Sequence, residues 1–297
     1  MKRIIALILI TVTLLSFTSC QEKANPYDYR DDDSLTAYFF DVGQADCSLL
    51  LFPDDTVMLI DCGNRADGRK ISQFIKNLDI DTIDYLVLSH PHEDHIGGAT
   101  EIFNSFEILS LCFPQIPNVA NASSDLYDEV LSAANEEKSR LIPLTSGGLI
   151  VEKTNFDVTA VSPVQNCIYS DLNDYSLTLL VNCYTNTLLF TGDAEQAAEA
   201  DMLKTDINLH TDILKVGHHG AETSTTEAFL KAAKPQVAVI SSGKNNSYKH
   251  PHDETLLRLK NANVKTYRTD TAGTVIARCY DKGFSIETNQ NINLDGN

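Results

Sequence analysis

The segment Ser89-His90-Pro91-His92-Glu93-Asp94-His95-Ile96-Gly97-Gly98 places three imidazoles and two carboxylates within six residues. It directly follows the apolar run 85–88, which is typical of a short β-strand. Histidine, aspartate and glutamate side chains are ligands that suit zinc, manganese or iron. The segment therefore predicts a metal site at the end of a strand.

The other histidines are also grouped. Of the eight histidines in the chain, only His210 lies outside three motifs at strand ends. The motifs contain His90, His92 and His95; His218 and His219; and His250 and His252. A lone histidine is most often an ordinary surface or core residue, but this clustering favours metal binding or catalysis.

The spacing of these residues suggests two neighbouring ions. In a turn that leaves a strand, the first two histidines of the motif point to one side and the following Asp-His pair points to the next position. Asp193, in a Thr-Gly-Asp sequence at another strand end, is the expected bridge between the ions. The predicted metal ligands are His90 and His92 for the first ion, Asp94, His95 and His218 for the second, and Asp193 between them.

Hydrolysis is the chemistry that such a site favours. Two divalent cations, with Zn²⁺ as the first expectation and Mn²⁺ as an alternative, lower the pKa of a bridging water and generate hydroxide. They also neutralise the oxygens of a phosphodiester. Asp94 is expected to orient the hydroxide as well as to bind metal, and His219 is expected to face the substrate or to support a ligand.

His250 and His252 are the remaining candidates for catalysis. With the neighbouring Lys249, they are placed to bind a phosphate or to protonate a leaving group. The alternative interpretation is a cap before the helix that begins near Asp253. Asp46 and Asp61 are candidates for hydrogen bonds to the outer nitrogens of the ligand histidines, with ordinary turn chemistry as the alternative.

The order of predicted elements indicates an α/β fold. Strands with hairpin-like spacing come first and then alternate with helices, and this pattern occurs twice, in residues 35–110 and 149–287. Such halves predict two sheets packed face to face with helices outside. No linker of disorder-like composition separates them, so the sequence predicts a single domain over residues 35–288.

These motifs resemble the metallo-β-lactamase superfamily. The resemblance rests on the histidine motif, Asp193 and His218, and on further segments that resemble the soluble hydrolase domain of ComEC-type DNA-uptake proteins. Those segments are 41–46 (DVGQAD), 59–63 (LIDCG), 173–177 (NDYSL), 214–220 (LKVGHHG) and 250–252 (HPH). The resemblance implies an αββα four-layer sandwich with the metals at one edge, between the sheets.

The chain departs from the superfamily in one respect. No histidine lies between His95 and Asp193, where a third histidine for the first ion is common; the local segment is 173–176 (NDYS). An oxygen ligand, a water or weak occupancy is then expected at the first ion. The departure disfavours β-lactam hydrolysis and leaves manganese plausible beside zinc.

The N-terminus predicts export. Lys2 and Arg3 precede an apolar run shorter than the ~20 residues of a membrane-spanning helix, and small residues lead to Cys20. Residues 1–20 thus resemble a lipoprotein-type signal peptide, with a lipid anchor on Cys20. Residues 21–34 are expected to form a flexible tether, and residues 289–297 a polar tail.

The sequence favours an exported hydrolase of phosphodiesters, with DNA or a nucleotide-like compound as substrate. The formal net charge of −18 argues against tight binding to nucleic acid through its phosphates alone. Alternatives are a phosphocholine-type esterase on cell-surface polymers or lipids, a β-lactamase, and a non-catalytic surface binding module. The sequence contains no channel of its own, so a role in DNA uptake requires partner proteins.

Overall fold

A computed structural model describes residues 25–31, 33–117 and 125–296 of the chain. The predicted signal peptide, residues 1–20, and its Cys20 lie outside this range. Within the described residues, no helix combines the length and the apolar character needed to cross a membrane.

The first sheet has eight strands, of which the central ones are rich in apolar residues. In spatial order they are β15 (Phe284–Asn289), β14 (Thr274–Cys279), β1 (Leu35–Phe39), β2 (Ser48–Leu51), β3 (Val57–Ile60), β4 (Thr82–Val87), β5 (Glu107–Pro114) and β6 (Arg140–Leu144). Strands β15 to β3 pair antiparallel, whereas β3 to β6 are parallel. Every residue of β1, β2 and β3 is buried, as expected for strands covered on both faces.

The second sheet has seven strands and the same mixed character. In spatial order they are β13 (Lys265–Arg268), β12 (Val237–Ile240), β11 (Ile213–Lys215), β10 (Asn186–Phe190), β9 (Thr178–Cys183), β8 (Phe156–Ser162) and β7 (Leu149–Glu152). Strands β10 to β13 are parallel, and β7 to β10 are antiparallel. Each sheet therefore has a parallel half whose strands all end at one edge.

The helices connect the strands and cover the outer faces. They are α1 (Gly68–Lys76), α2 (Glu93–Ile96), α3 (Ala99–Ser105), α4 (Asp125–Glu136), α5 (Gln196–Met202), α6 (Glu227–Ala233), α7 (Asp253–Asn261) and α8 (Thr269–Ala272). In α1, the apolar residues Ile71, Phe74 and Ile75 recur at helical spacing and are buried. Helix α6 begins at the cap Thr226, whose side chain accepts from Phe229 N at 3.3 Å.

Three apolar clusters define the layers. The cluster between the sheets contains the stacked pairs Phe52–Phe156 and Phe39–Phe190, with ring centroids 4.2 and 5.4 Å apart. A second cluster joins the outer face of the first sheet to helices α1, α3 and α4, and a third joins the second sheet to α5, α6 and α7. Helix, sheet, sheet and helix thus follow one another, which confirms the predicted αββα sandwich.

Both ends of the described chain pack against this sandwich. Tyr29, in the predicted tether, donates its backbone N–H to the Tyr38 hydroxyl at 2.9 Å. In the predicted polar tail, Ile292 and Leu294 are buried, and Leu294 N donates to Asp41 O at 2.7 Å. Packed residues therefore extend past the predicted limits 35–288 on either side.

Candidate metal centre

Strand ends from both sheets bring the histidine motifs together. Strand β4 leads into the segment that contains His90 and His95, strand β10 into Asp193, and strand β11 into the turn Gly217–Gly220. A hydrogen bond from Leu177 N to Ser89 O, at 2.8 Å, ties the two halves at this edge. Because parallel strands deliver their carboxyl ends to the same edge, residues far apart in the sequence meet there.

Four residues form the centre of the site. Asp94, His95, Asp193 and His219 each offer one ligand atom, and these atoms lie within 4.8 Å of one another. Asp193 Oδ2 is 3.3 Å from His95 Nε2 and 3.6 Å from His219 Nε2. Asp94 Oδ2 is 3.2 Å from His219 Nε2. Two imidazole nitrogens and two carboxylate oxygens form a donor set that zinc or manganese accepts.

Two atoms of this cluster show that a metal ion fits. Among the described residues, the buried His95 Nε2 and Asp193 Oδ1 have no hydrogen-bond partner. Buried polar atoms are nearly always paired, and an unpaired one costs about 1–3 kcal/mol. A divalent cation would satisfy both atoms, since each can give it a lone pair.

The remaining predicted ligands surround Asp193. His90 Nε2 lies 4.0 Å from Asp193 Oδ2 and 3.0 Å from His92 Nδ1. His218 Nε2 lies 3.7 Å from the same Asp193 oxygen. All six predicted metal ligands are therefore in one group, in which His92 lies against His90 and the others lie around the Asp193 carboxylate.

His218 and His219 sit in an unusual turn. Their backbone angles are φ 47°, ψ 49° and φ 53°, ψ 21°, the left-handed region. A non-glycine residue held in this region costs about 1–3 kcal/mol, so such residues cluster at functional sites. The turn brings His219 into the four-residue cluster, in the place predicted for His218. Residue types alone do not reveal left-handed backbone at a histidine, which is why the order of the pair was not predictable.

Asp61 orients His95. Its Oδ2 is 2.8 Å from His95 Nδ1 and accepts from Ser89 Oγ at 2.7 Å. Its Oδ1 accepts from Ser89 N at 2.7 Å. A carboxylate on the outer nitrogen of a ligand histidine fixes the ring and directs the other nitrogen toward the metal. This geometry agrees with the interpretation of Asp61 as a partner of a ligand.

Asp46 lies behind His219 and pairs with Lys215. Lys215 Nζ is 2.6 Å from Asp46 Oδ2, and the two side chains are only 3% and 6% exposed. Asp46 Oδ1 faces His219 Nδ1 at 3.6 Å, while that nitrogen is 3.1 Å from Ser241 O. Lys215 was not among the predicted site residues, although a lysine within the apolar segment 213–216 was a usable signal.

Glu195 is a second partner that was not among the predicted site residues. Its Oε1 lies 2.8 Å from His218 Nδ1 and accepts from Thr223 Oγ1 at 2.8 Å. Glu195 therefore fixes the ring of His218 as Asp61 fixes that of His95. Its position two residues after Asp193, just past a strand end, was the available clue.

The segment that lacks the third histidine has a structural role. Residues Asn173–Tyr175 form a single 3-10 turn. The hydroxyl of Ser176 accepts from Asp193 N at 3.0 Å, and Asp174 Oδ1 accepts from Glu195 N and Ala198 N at 3.1 and 3.0 Å. The segment thus positions the residues around Asp193.

His250 and His252 face different surroundings. The His250 ring centroid is 5.4 Å from that of His218, and its Nδ1 is 3.4 Å from Gln44 Nε2. His252 accepts from Glu222 N at 3.0 Å, and its Nε2 is 3.1 Å from Tyr248 O. His250 therefore lies beside the metal cluster, whereas both nitrogens of His252 are occupied by the backbone.

The charges of the site compensate one another. Burial, together with His95, lowers the pKa of His90 well below its usual value, so this ring remains a neutral donor. Burial raises the pKa of Asp193, but His95 and His219 outweigh it and hold that pKa well below normal. Asp193 is therefore ionised and able to bind a cation, and metal binding is expected to displace protons from the histidines.

Comparison with known proteins identifies relatives. Over 209 residues the chain is 32% identical to "ComE operon protein 3" of Bacillus subtilis, covering 68% of this chain and 25% of that protein. It is 29% identical to "Recombination protein 2" of Haemophilus influenzae, with 83% and 29% covered, and 29% identical to "Competence protein ComA" of Neisseria gonorrhoeae, with 88% and 34% covered. The chain thus spans about a quarter to a third of the length of these relatives.

A solved structure and a family profile also match the chain. Igni18, described as a novel metallo hydrolase from the archaeon Ignicoccus hospitalis, aligns with a TM-score of 0.49 and 15% identity, covering 81% of this chain and 98% of that one. The competence relatives confirm the resemblance to ComEC-type proteins. The profile of the "Metallo-beta-lactamase superfamily" matches residues 40–244, more than half of the chain, and the chain belongs to that superfamily.

Proposed function

We propose that the protein is a metal-dependent phosphodiesterase that acts on DNA or on a nucleotide-like substrate. The observation that carries the proposal is the convergence of Asp94, His95 and His219 on Asp193, with two buried atoms left unpaired. The relatives named "Recombination protein 2" and "Competence protein ComA" support a nucleic-acid substrate. No observation favours a phosphocholine ester, a β-lactam or a purely binding role in the same way.

The site can be divided between two ions. Asp94, His95 and His219 would hold one ion, His90, His92 and His218 the other, and Asp193 would contact both. This division gives the first ion the third histidine that the segment 173–176 lacks. Three histidines and a carboxylate suit Zn²⁺, and Mn²⁺ accepts the same donors.

The residues of the chain have separable tasks in hydrolysis. When bound, the divalent ions supply Lewis acidity, which activates water and offsets the charge on the phosphate oxygens. Asp94, whose side chain is 31% exposed, is placed to orient the attacking water. The rigid supports Asp61 and Glu195 keep the histidine rings in position, so that little reorganisation accompanies the reaction.

His250 is placed to hydrogen-bond the phosphate or the leaving oxygen. Gly243 N donates to Gln44 Oε1 at 3.1 Å, which directs the amide nitrogen of Gln44 toward His250 Nδ1. His250 Nδ1 then accepts a hydrogen bond from Gln44, so the proton of the neutral His250 ring lies on Nε2. Among the described residues no hydrogen-bond partner of His250 Nε2 is seen, so this N–H is free to donate to the substrate.

The test is an assay of the purified protein with bis(p-nitrophenyl) phosphate and with single-stranded DNA, with Zn²⁺ or Mn²⁺ added. We expect cleavage of both, and a loss of about 100-fold or more in His92→Ala, because one ion loses a ligand. The control is His210→Ala, since this exposed histidine is outside the cluster. Failure to cleave either substrate, with His92→Ala and wild type alike, contradicts the proposal.

We also propose that the protein is exported and held at the membrane by a lipid on Cys20, and that any part in DNA uptake is taken with separate partners. The basic start, the apolar run 4–15 and the small residues before Cys20 support this address. Cell fractionation of the wild type and of Cys20→Ser tests it. Recovery of both forms in the same soluble fraction would refute the anchor.

A further inference from the structure

The loop of residues 241–252 approaches the site with a rigid backbone. Asn246 donates through Nδ2 to Gly243 O and His250 O at 2.9 and 2.6 Å, and its Oδ1 accepts from His250 N at 3.0 Å. His252 Nε2 is 3.1 Å from Tyr248 O. The loop is thus braced from within, and this bracing explains the second histidine of the 250–252 motif.

Tyr248 projects from this braced loop into solvent. Its residue surface is 66% exposed. One face of its ring lies against His250, at 5.7 Å between centroids and 23° between planes. The His250 ring lies 5.4 Å from that of His218 and is nearly parallel to that of His219, at 23°. Aromatic rings therefore continue from the metal cluster to the surface.

Single exposed apolar residues are common and need no explanation. Tyr248 differs because its backbone is fixed, its inner face is occupied by a residue of the site, and its outer face is open. The loop also carries Lys244 and Lys249, both exposed, and no acidic residue, in a chain of net charge −18. A fixed ring beside local positive charge is the combination that binds single-stranded nucleic acid.

We propose that Tyr248 is a stacking platform for a nucleobase of the substrate, close to the phosphodiester held at the metal cluster. The inference rests on the proposed function and names its substrate more closely: an unpaired strand whose bases are free to stack. Bases contribute through their faces, so the preference is for single strands over duplexes and not for one sequence. Lys249 contacts the backbone phosphate of the same strand.

The experiment measures binding, so that it does not depend on cleavage. Fluorescein-labelled oligothymidylate and an abasic oligomer of equal length are titrated with protein in the His92→Ala background, with Mn²⁺ present, and anisotropy gives Kd. Tyr248→Ala is compared with Tyr248→Phe, which keeps the ring. Equal Tm values show that both variants are folded, as expected for a side chain so exposed.

We expect Tyr248→Ala to weaken binding of oligothymidylate about tenfold and to change binding of the abasic oligomer little. Tyr248→Phe should bind both oligomers like the His92→Ala protein that retains Tyr248. Equal loss for both oligomers, equal affinity of the Ala and Phe variants, or no binding of either oligomer overturns the inference. The proposed function fails by a different result, the absence of phosphodiester cleavage by the wild-type protein.

Discussion

The buried pair Asp46–Lys215 connects the stability of the sandwich to the geometry of the metal centre. Lys215 ends β11 in the second sheet, Asp46 precedes β2 in the first, and Nζ and Oδ2 are 2.6 Å apart with both side chains buried. The variants Asp46→Asn, Lys215→Met and the double variant separate the contribution of the pair to stability from its contribution to metal binding. Each single change leaves one buried group without its charged partner, and the double change removes both charges.

The expected sizes follow from burial. Leaving one charge of a buried pair uncompensated destabilises a protein by about 3–5 kcal/mol, whereas a neutral pair of similar volume is often tolerated. Each single variant should therefore lose several kcal/mol of unfolding free energy. The double variant should lose less than the sum, with a coupling of about 2–3 kcal/mol. Because Asp46 Oδ1 also faces His219 Nδ1 at 3.6 Å, without a hydrogen bond, the double variant should still bind metal more weakly, by up to about tenfold.

Urea unfolding of the chelator-treated protein measures the stabilities without the contribution of bound metal. Competition with a chromophoric chelator then measures metal affinity. Single variants that lose less than about 1 kcal/mol, or a double variant equal to their sum, would refute the buried-pair reasoning. Metal affinity restored fully in the double variant would refute the role of Asp46 at His219.

Three further outcomes follow from particular contacts. Asp61→Asn should weaken metal binding about 10–100-fold in the chelator assay, because His95 loses its orienting carboxylate, while the exposed control Asp81→Asn should not. Burial raises the pKa of Glu199 to about 7, so the folded state binds a proton that the unfolded chain releases near pH 4.5. The free energy of unfolding should then fall by up to about 3 kcal/mol as the pH rises from about 5 to 8, and Glu199→Gln should remove that slope in urea titrations; a slope that persists contradicts the assignment. Gly98→Ala should lower stability by about 2 kcal/mol or more in the same titration, because a Cβ there meets the Cys62 carbonyl oxygen; an unchanged midpoint contradicts it.

Much of the fold was predictable because local patterns specify it. Strands such as β3 are apolar runs that end in distinctive polar motifs, and α1 shows helical spacing of its buried residues. The αββα arrangement followed from the order of these elements and from the family resemblance. The apolar runs and the helical spacing depend only on residues that are close in the sequence.

Strand β6 shows where such patterns fail. Arg140–Leu144 contains a proline and is largely exposed, with only Leu144 buried, so it lacks the alternation or apolar run of a strand. It forms because β5 offers a free edge, to which Leu141 and Ile142 pair. Ile292 and Leu294 also lack a local pattern, because their burial depends on packing against distant residues in the cluster of the first sheet and its helices.

The metal centre also has one part that local sequence predicts and one part that it does not, and this difference has a physical basis. The first half of the site is one contiguous turn after β4, so its four ligands are recognisable together. The second half consists of single residues whose direction depends on tertiary contacts: Asp193 is held by Ser176, and His218 by Glu195. His218 and His219 are chemically identical neighbours, and only their left-handed backbone angles send one ring to Asp94 and the other to Glu195. Residue identity can thus name the donors of a metal site, but the assignment of each donor to an ion depends on backbone geometry that the whole sandwich imposes.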